Sequence, residues 1–567
     1  MDKKEIIATP IWGLYEKGRN YHRLVGIYDD VDRCNRFYNG NQWEGAKLGD
    51  VEPVQKNFIK PTVKYKLAVI HDNLYSIVFS SQNYENQAFR KNAEKICKML
   101  NGYAAKIWER DSMDDKLRSF TRDSAICGEG VLYVDFDSEE LTPKNEVINM
   151  ADVYYGDENE AEIERQPYIL IRKRLSQTEA LDLALSLGMS KSKKDLIVGD
   201  NESFEESGDA AKQEIDDKVT VVYKFYKKDG EVHYSVATRF VTIVEDVNLA
   251  ISLYPVIHFN WEEKKGSARG EGEVKNLIPN QIEVNKTAMR RVLTVKEQAY
   301  PAKVVDVTKV ANPDALDNVG GIIKTNGAPV DDVHKIVGTI PPAQMSADVM
   351  QLEEDLINSS RELAGAGESA TGDVDPEKTS GRAVLAVQQA ARAPVTEQKD
   401  RCKHSIECLA RVWLDFLVTY AENGIMLEDR VADRVTGEEN VQMVNVPQIS
   451  LKQLQATVKV DITPKSPLDR YAQEQTLENF LTSGMFNIQR KPELKVYVKA
   501  LPDDSVAPKQ ALLDIIADME EEERKINAIN ANAQIMMQNA EQFLMGNPME
   551  QSSQIADVMA KLRATGK

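Results

Sequence analysis

Apolar positions between Glu273 and Gly424 fall into three long helical stretches separated by two polar, turn-rich segments. The first stretch runs from about Pro279 to Gln298, with proline tolerated in a first turn because the N–H it lacks would be unpaired there. At about 100° per residue, Ile278, Ile282, Met289 and Leu293 share a face, which Val284, Ala288, Val292 and Val295 widen. Glu283, Lys286, Thr287, Arg290 and Thr294 hold the polar remainder. An ordinary surface helix needs a narrower apolar stripe. The extra width predicts packing against more than one neighbour, as in a ring; a helix buried deep in a monomer would show the same pattern.

Residues Tyr300 to Pro342 form a small unit in which the β-prone runs Lys303–Val307 and Gly321–Lys324 alternate with turn signals at Asn312-Pro313, Gly320-Gly321, Asn326-Gly327 and Pro341-Pro342. A second helix, Ala343 to Ala364, carries Val349, Leu352, Leu356 and Leu363 at helical spacings. Residues Gly365 to Thr379 hold Glu368, Asp373, Asp375 and Glu377 against the single base Lys378, with Val374 their one large apolar residue, and predict an exposed loop. Ser380 to Asn423 then reads as one helix closed by Gly424. Pro394 should kink it, since an internal proline removes a backbone bond and clashes with the preceding turn. Beyond the kink Cys402, Ile406, Leu409, Trp413, Phe416 and Tyr420 step by four and three. Unbroken, this helix would span roughly 65 Å at about 1.5 Å per residue.

The flanks are mixed. Ile96, Leu100, Tyr103 and Ile107 mark one amphipathic helix, and Leu117 to Cys127 another, stopped by Gly128. Val219 to Tyr226 alternates as a strand, Asp229-Gly230 supplies a tight hairpin turn, and His233 to Ala237 returns. The charged stretch Ser190 to Lys218 reads as a surface excursion or a partly disordered segment. Ala456, Val458, Val460 and Ile462 alternate as a half-buried strand, and helices follow from Leu468 to the end, the last opened by the acidic cluster Glu520 to Glu523. The fold class is α+β, mainly helical.

Composition narrows the function. A chain of 567 residues implies several domains. No apolar run approaches the roughly 18 residues of a membrane span, and the start of the chain lacks the apolar core of a signal peptide, so assembly in the cytoplasm is expected. The five cysteines form no Cys-x-x-Cys pair and read as structural thiols; the scattered histidines offer no metal site, His404 with Glu407 being a surface pair. A net charge of −19 argues against a protein that grips nucleic acid, whose affinity comes largely from neutralised phosphates. A conduit is different: a negative wall lets DNA slide.

No catalytic constellation emerges. Gly367 to Gly372 has the glycine spacing of a phosphate loop, but Asp373-Val374 stands where Lys-Ser/Thr is required, and Gly270-Glu-Gly272 lacks the third glycine of a dinucleotide fingerprint. Glu273-Val-Lys275 and Glu493-Leu-Lys495 carry the Glu-x-Lys element of a metal-dependent nuclease, which is the enzymatic alternative. A monomeric adaptor or scaffold is another.

The order of elements resembles the portal proteins of tailed bacteriophages, the rings at one capsid vertex through which DNA passes. Phe37-Tyr-Asn-Gly-Asn-Gln-Trp43 is similar to an aromatic–glycine–tryptophan segment near the start of many portals, Arg122 to Val134 to their helix–glycine–strand passage, Asn276 to Asn285 to the entry of the first stem helix, and Thr379-Ser-Gly-Arg-Ala383 to the start of the long helix. The resemblance implies an N-terminal α/β wing at 1–266, stem helices at 267–299 and 343–364, a clip at 300–342, a tunnel loop at 365–379, a kinked wing helix with strands at 380–464, and a helical crown at 465–567. It implies a non-enzymatic virion protein without cofactor or metal. Its partners would be its own copies, about twelve to a ring, the terminase motor, major capsid and scaffolding proteins, head–tail adaptor or tail proteins, and double-stranded DNA in passage. On this reading Val284, Ala288, Val292 and Val295 pack between subunits, Glu283, Lys286, Arg290 and Thr294 form the stem's polar face, and Glu368, Asp373, Asp375, Glu377 and Lys378 belong to the tunnel loop.

Overall fold

The computed structural model describes residues 8–48, 52–81, 87–200, 218–316, 318, 320–326, 336–341, 345–346, 348–366, 393–432, 439–453, 456–464, 467–483, 491–501, 512–513, 515–519 and 525–526. They form two compact units, Met1–Leu427 with Val444–Thr463, and Glu428–Met443 with Pro464–Lys567. The mixture of helix and antiparallel sheet agrees with an α+β class.

In the first unit, α1 (Pro10–Val25) opens on Thr9, whose hydroxyl accepts from the Trp12 N–H, and closes at Gly26 in the left-handed region. After α2 (Ile27–Asn39) and α3 (Ile59–Ile70) come β1 (Asn73–Ser81), α4 (Gln87–Arg110) and α5 (Met113–Cys127). Gly128, at φ 110°, stops α5 as its sequence predicts, and β2 (Glu129–Asp137) follows at once. It pairs antiparallel with β3 (Thr142–Ile148) on one side and β9 (Val256–Asn260) on the other. A second, five-stranded antiparallel sheet runs β4 (Val153–Tyr155), β5 (Ile169–Ser176), β6 (Lys218–Lys228), β7 (Glu231–Ala237), β8 (Thr242–Asn248). Asp229 and Gly230 turn β6 into β7 at φ 56° and 87°, the expected tight hairpin. Trp12 and Tyr15 of α1 pack on this sheet against Tyr154, Leu170 and Val222, while α6 (Gln177–Ser186) adds Ala180 and Ala184 beside Val219 and Val221.

The stretch expected to be a surface excursion is partly built into this sheet. Ile197 is fully buried, and Asp200 accepts from the Thr220 N–H and hydroxyl and pairs with Arg174; residues 201–217 lie outside the described residues. Ile197, with Leu196 packed beside it, and the buried Asp200 carboxylate help to pin a segment whose average composition is polar.

The helix expected from Pro279 begins earlier, as α7 (Glu273–Ala299), and holds Pro279 in its interior. The next helix, α8 (Asp348–Leu363), starts later than Ala343. Pro394 sits in a 3-10 turn, Ala393–Val395, that leads into α9 (Thr396–Tyr420). Residues 367–392 lie outside the described residues, and with them the arm that a kink at Pro394 would bend. Cys402, Ile406, Leu409, Trp413 and Phe416 are buried in the main core, as their spacing predicts. Gly424 does not close this helix, which stops at Tyr420; it opens β12 (Ile425–Ala432), where its missing side chain leaves room for Asn445 of β13 (Glu439–Val446). A short α10 (Gln448–Gln453) leads to β14 (Ala456–Pro464), a strand where the alternation places one, which pairs with β1. The described helices of the second unit include α11 (Pro467–Thr482) and α12 (Lys491–Ala500), in line with the helical reading of the C-terminal region.

Candidate functional site

The N-terminal half of α7 is gripped at three levels. At its entry Gly270 and Gly272 pass so close to the α5–β2 junction that an added Cβ would lie 2.6 Å from the Gly128 carbonyl oxygen and 2.6 Å from that of Ile126. These glycines serve backbone packing. Arg269, beside them, is buried, and its guanidinium donates to Glu129 at 3.0 Å, to Glu158 at 2.9 Å, to the Met150 and Val153 carbonyls, and to His22 Nε2 at 2.9 Å. Glu129 also meets His258 Nε2 at 3.1 Å and the Tyr155 hydroxyl. Burial alone would raise both carboxyl groups; Arg269, with His258 and Tyr155 at Glu129 and with His22 at Glu158, outweighs it and holds them below the usual carboxylate range. Burial and the Arg269 charge push the His22 imidazole down to about 4.

One turn on, Glu273 is buried between Lys66 Nζ at 2.7 Å and the Trp261 indole N–H at 3.1 Å, while Lys275 reaches Asp30 at 2.5 Å. The Glu-x-Lys triplet at 273–275 is thus divided between two ion pairs. Higher again, Gln281 accepts from the Phe58 N–H and donates to the Lys56 carbonyl, and Asn285 accepts from the Lys56 N–H and donates to Gln42. Both amides are buried. Apolar periodicity alone does not reveal them; the signal is a pair of amides four residues apart on the apolar side of a helix, where an unpartnered amide would be costly. The contact with Gln42 also ties the Phe37–Trp43 motif to α7.

Helices α7 and α8 run antiparallel, since Asn280 donates to Ser360 at 2.8 Å and Arg291 to Glu353 at 2.6 Å. Glu353 is 1% exposed and takes a second ion pair from Lys56. Leu356 and Ile357 of α8 pack against the core, whereas Leu352 and Leu363 are exposed. The broad stripe of α7 likewise divides. Val284 and Ala288 are buried inside the chain's own fold, so they are not available to a neighbour, contrary to the expectation for this pair. Val292 and Val295, one and two turns on, are 39% and 64% exposed. On the polar face Lys286 pairs with Glu283 at 2.7 Å, the Thr294 hydroxyl donates to the Arg290 carbonyl, and the Arg290 guanidinium has no ion-pair partner among the described residues.

Between the helices lies a small two-stranded ladder. Its first strand, β10 (Lys303–Val305), falls in an expected run and pairs with β11 (Val337–Thr339), whereas the other expected run, Gly321–Lys324, forms no strand and only Thr325 beyond it makes an isolated bridge, to Val310. Gly320 takes φ 76°, and a side chain on Gly321 would strike the Ala315 carbonyl oxygen, so both glycines set turn geometry; Gly327 lies outside the described residues. Val304, Val307, Ile322 and Ile340 are exposed.

Residues 188–565, about two thirds of the chain, match the family described as phage P22-like portal protein. The chain belongs to that family. No curated protein matches it.

As a P22-like portal protein the chain is a structural subunit for packaging phage DNA, placed at a capsid vertex as the head–tail connector. Portal proteins act as ring oligomers that meet capsid, terminase and tail proteins, and the family is structural and not enzymatic. Among the described residues no three His, Cys, Asp or Glu side chains converge as a metal site, and no helix is long and apolar enough to cross a membrane. His404 lies 3.9 Å from Glu407 on the exposed side of α9, the surface pair expected. Glu368, Asp373, Asp375, Glu377 and Lys378 lie outside the described residues.

Proposed function

We propose that α7 and α8 are the two stem helices of the portal ring and that the segment 300–342 between them is the clip. In this reading residues 1–266 form the wing, continued by 380–464, and residues 465–567 form the crown. The acidic segment 365–379, which directly follows α8, is the tunnel loop through its charged residues Glu368, Asp373, Asp375, Glu377 and Lys378. The observation that carries the reading is the stripe on α7: one helical face is covered by the chain's own core as far as Ala288 and left open from Val292 onward. A uniform stripe half covered in the single chain is what a subunit needs when the missing cover is another subunit. The exposed aliphatic residues of the clip fit a surface used by the terminase during packaging and by adaptor or tail proteins afterwards, and the same channel serves ejection.

Electron microscopy of the purified protein tests this. Rings, of about twelve subunits as is usual for cyclic portals, are expected; discrete small particles would favour an adaptor. Deleting Lys303–Ile340 and joining the helices by a short linker should abolish capture of the terminase in a pull-down. Undiminished capture would move the docking surface off the clip.

A further inference from the structure

We infer that Arg269 is a positioning residue for ring closure: its guanidinium fixes the direction in which α7 leaves the wing, and that direction sets how many subunits close the ring. The inference rests on the reading of α7 as a stem helix.

Every N–H of the buried guanidinium has a partner. Nε donates to Glu158 at 2.9 Å, and one terminal nitrogen donates to Glu129 at 3.0 Å and to the Met150 carbonyl at 3.3 Å. The other reaches the Val153 carbonyl at 2.7 Å, His22 Nε2 at 2.9 Å and the second Glu158 oxygen at 3.1 Å. Glu129 opens β2 of the three-stranded sheet, Val153 opens β4 of the five-stranded sheet, and His22 belongs to α1. One planar group therefore ties both sheets and the first helix to the chain just ahead of Glu273, where α7 begins. A lysine would supply the charge but not the rigid fork of donors. Such a network is a weak source of net stability, because desolvation offsets most of the attraction. What it supplies here is direction.

Geometry turns direction into number. From Glu273 to Ala299, α7 is about 40 Å long at ~1.5 Å per residue. A tilt of about 3° at its entry would therefore move its far end by about 2 Å. Twelve subunits in a closed ring turn by about 30° each, and thirteen by about 28°. Wing and stem must share that turn. When α7 leaves at a slightly different angle, the contacts of the wing and those of the stem no longer favour the same turn, and closure with one copy more or fewer competes. The later grips on α7, at Gln281 and Asn285, hold Gln42, Lys56 and Phe58. Its angle to the two sheets is set at the entry, by Arg269 with Gly270 and Gly272 packed on Gly128 and Ile126.

Ring counts of the full chain, read by native mass spectrometry, test this. Arg269→Lys keeps the charge and loses the fork. The triple variant Arg269→Met, Glu129→Gln, Glu158→Gln removes the charges together, so that no buried carboxylate is left unpaired. Both should fold, as circular dichroism and thermal melting check. Each should shift or widen the distribution of ring sizes, so that roughly one ring in three or more differs from the parent's commonest count. Val221→Ala is the control. It leaves a void on the α6 side of the five-stranded sheet and should lower the melting temperature while keeping the parent's ring count. The parent's distribution from a folded Arg269→Lys or triple variant, or equal widening by Val221→Ala, would overturn the inference and leave the ring standing. Loss of folding in both Arg269 variants would also overturn it, by making Arg269 a stability residue. If the folded parent forms no rings at all, the stem reading itself fails.

Discussion

Gly365 and Pro394 are packed against each other: a Cβ built on Gly365 would stand 2.6 Å from the Cβ of Pro394 and 3.0 Å from its Cγ. Gly365 also sits at φ 68°, where it ends α8 by donating its N–H to Glu362, with Ala366 donating to Arg361. The end of α8 and the entry of α9 are thus joined, and Pro394 serves as a packing partner as well as a helix starter. Gly365→Ala should lose about 1–3 kcal/mol, from the left-handed backbone and the clash together. The urea midpoint of the isolated subunit measures it, and an unchanged midpoint would show that the contact yields freely.

Glu353 is the only acid that ties Lys56 to Arg291 among the described ion pairs. Both cations are partly in water, so the charge-assisted bonds are worth less than a buried pair; Glu353→Gln should cost about 1–2 kcal/mol. Burial raises the Glu353 carboxyl, but Lys56 and Arg291 outweigh it and hold the group below its ordinary range. Its contribution is therefore complete above the ordinary carboxylate range and is lost as the pH falls through the lower folded value. The parent should lose more stability than Glu353→Gln across that acid window in parallel denaturation curves.

His22 acts in a higher window. Its folded value of about 4 lies below the ordinary 6.5, chiefly through burial and then through Arg269, against the opposing pull of Glu158 and Glu129. Between these limits the unfolded chain binds the extra proton, so stability falls as the pH is lowered from 6.5 towards 4, by about 3 kcal/mol in all. His22→Gln removes that proton uptake and should flatten this part of the profile, whatever its effect at neutral pH. A profile as steep as the parent's would assign the loss to other groups.

Val292→Asp should leave the subunit folded, because the position is already partly exposed, yet block ring formation by burying an unpaired charge at the interface. Val284→Asp is the contrast: the site is fully buried in the chain's own core, and this variant should fail to fold. Light scattering and circular dichroism separate the two outcomes. Rings from Val292→Asp as abundant as the parent's would remove this face from the interface.

Much of the local architecture was legible in residue order. The helical period placed the buried face of α9 from Cys402 to Phe416, Gly128 marked the end of α5, and Asp229-Gly230 marked the β6–β7 hairpin, because each depends on neighbours a few residues away. The order of helices and turn-rich inserts was enough to point to the portal family. The partition of α7 was not legible. Val284, Ala288, Val292 and Val295 lie on one apolar face, but periodicity says which face avoids water and not what covers it. The cover ends where Gln281, Asn285 and the Glu353 triad bind segments far away in sequence, near Gln42, Lys56 and Phe58. The same holds for β10, whose partner β11 lies more than thirty residues on, and for Ile197 and Asp200, drawn into a sheet by contacts their polar neighbours do not announce. Local elements and their order follow from residues close together in the chain. Which apolar and charged groups are spent within the subunit and which remain exposed emerges only in the folded subunit, because burial is a property of distant segments meeting.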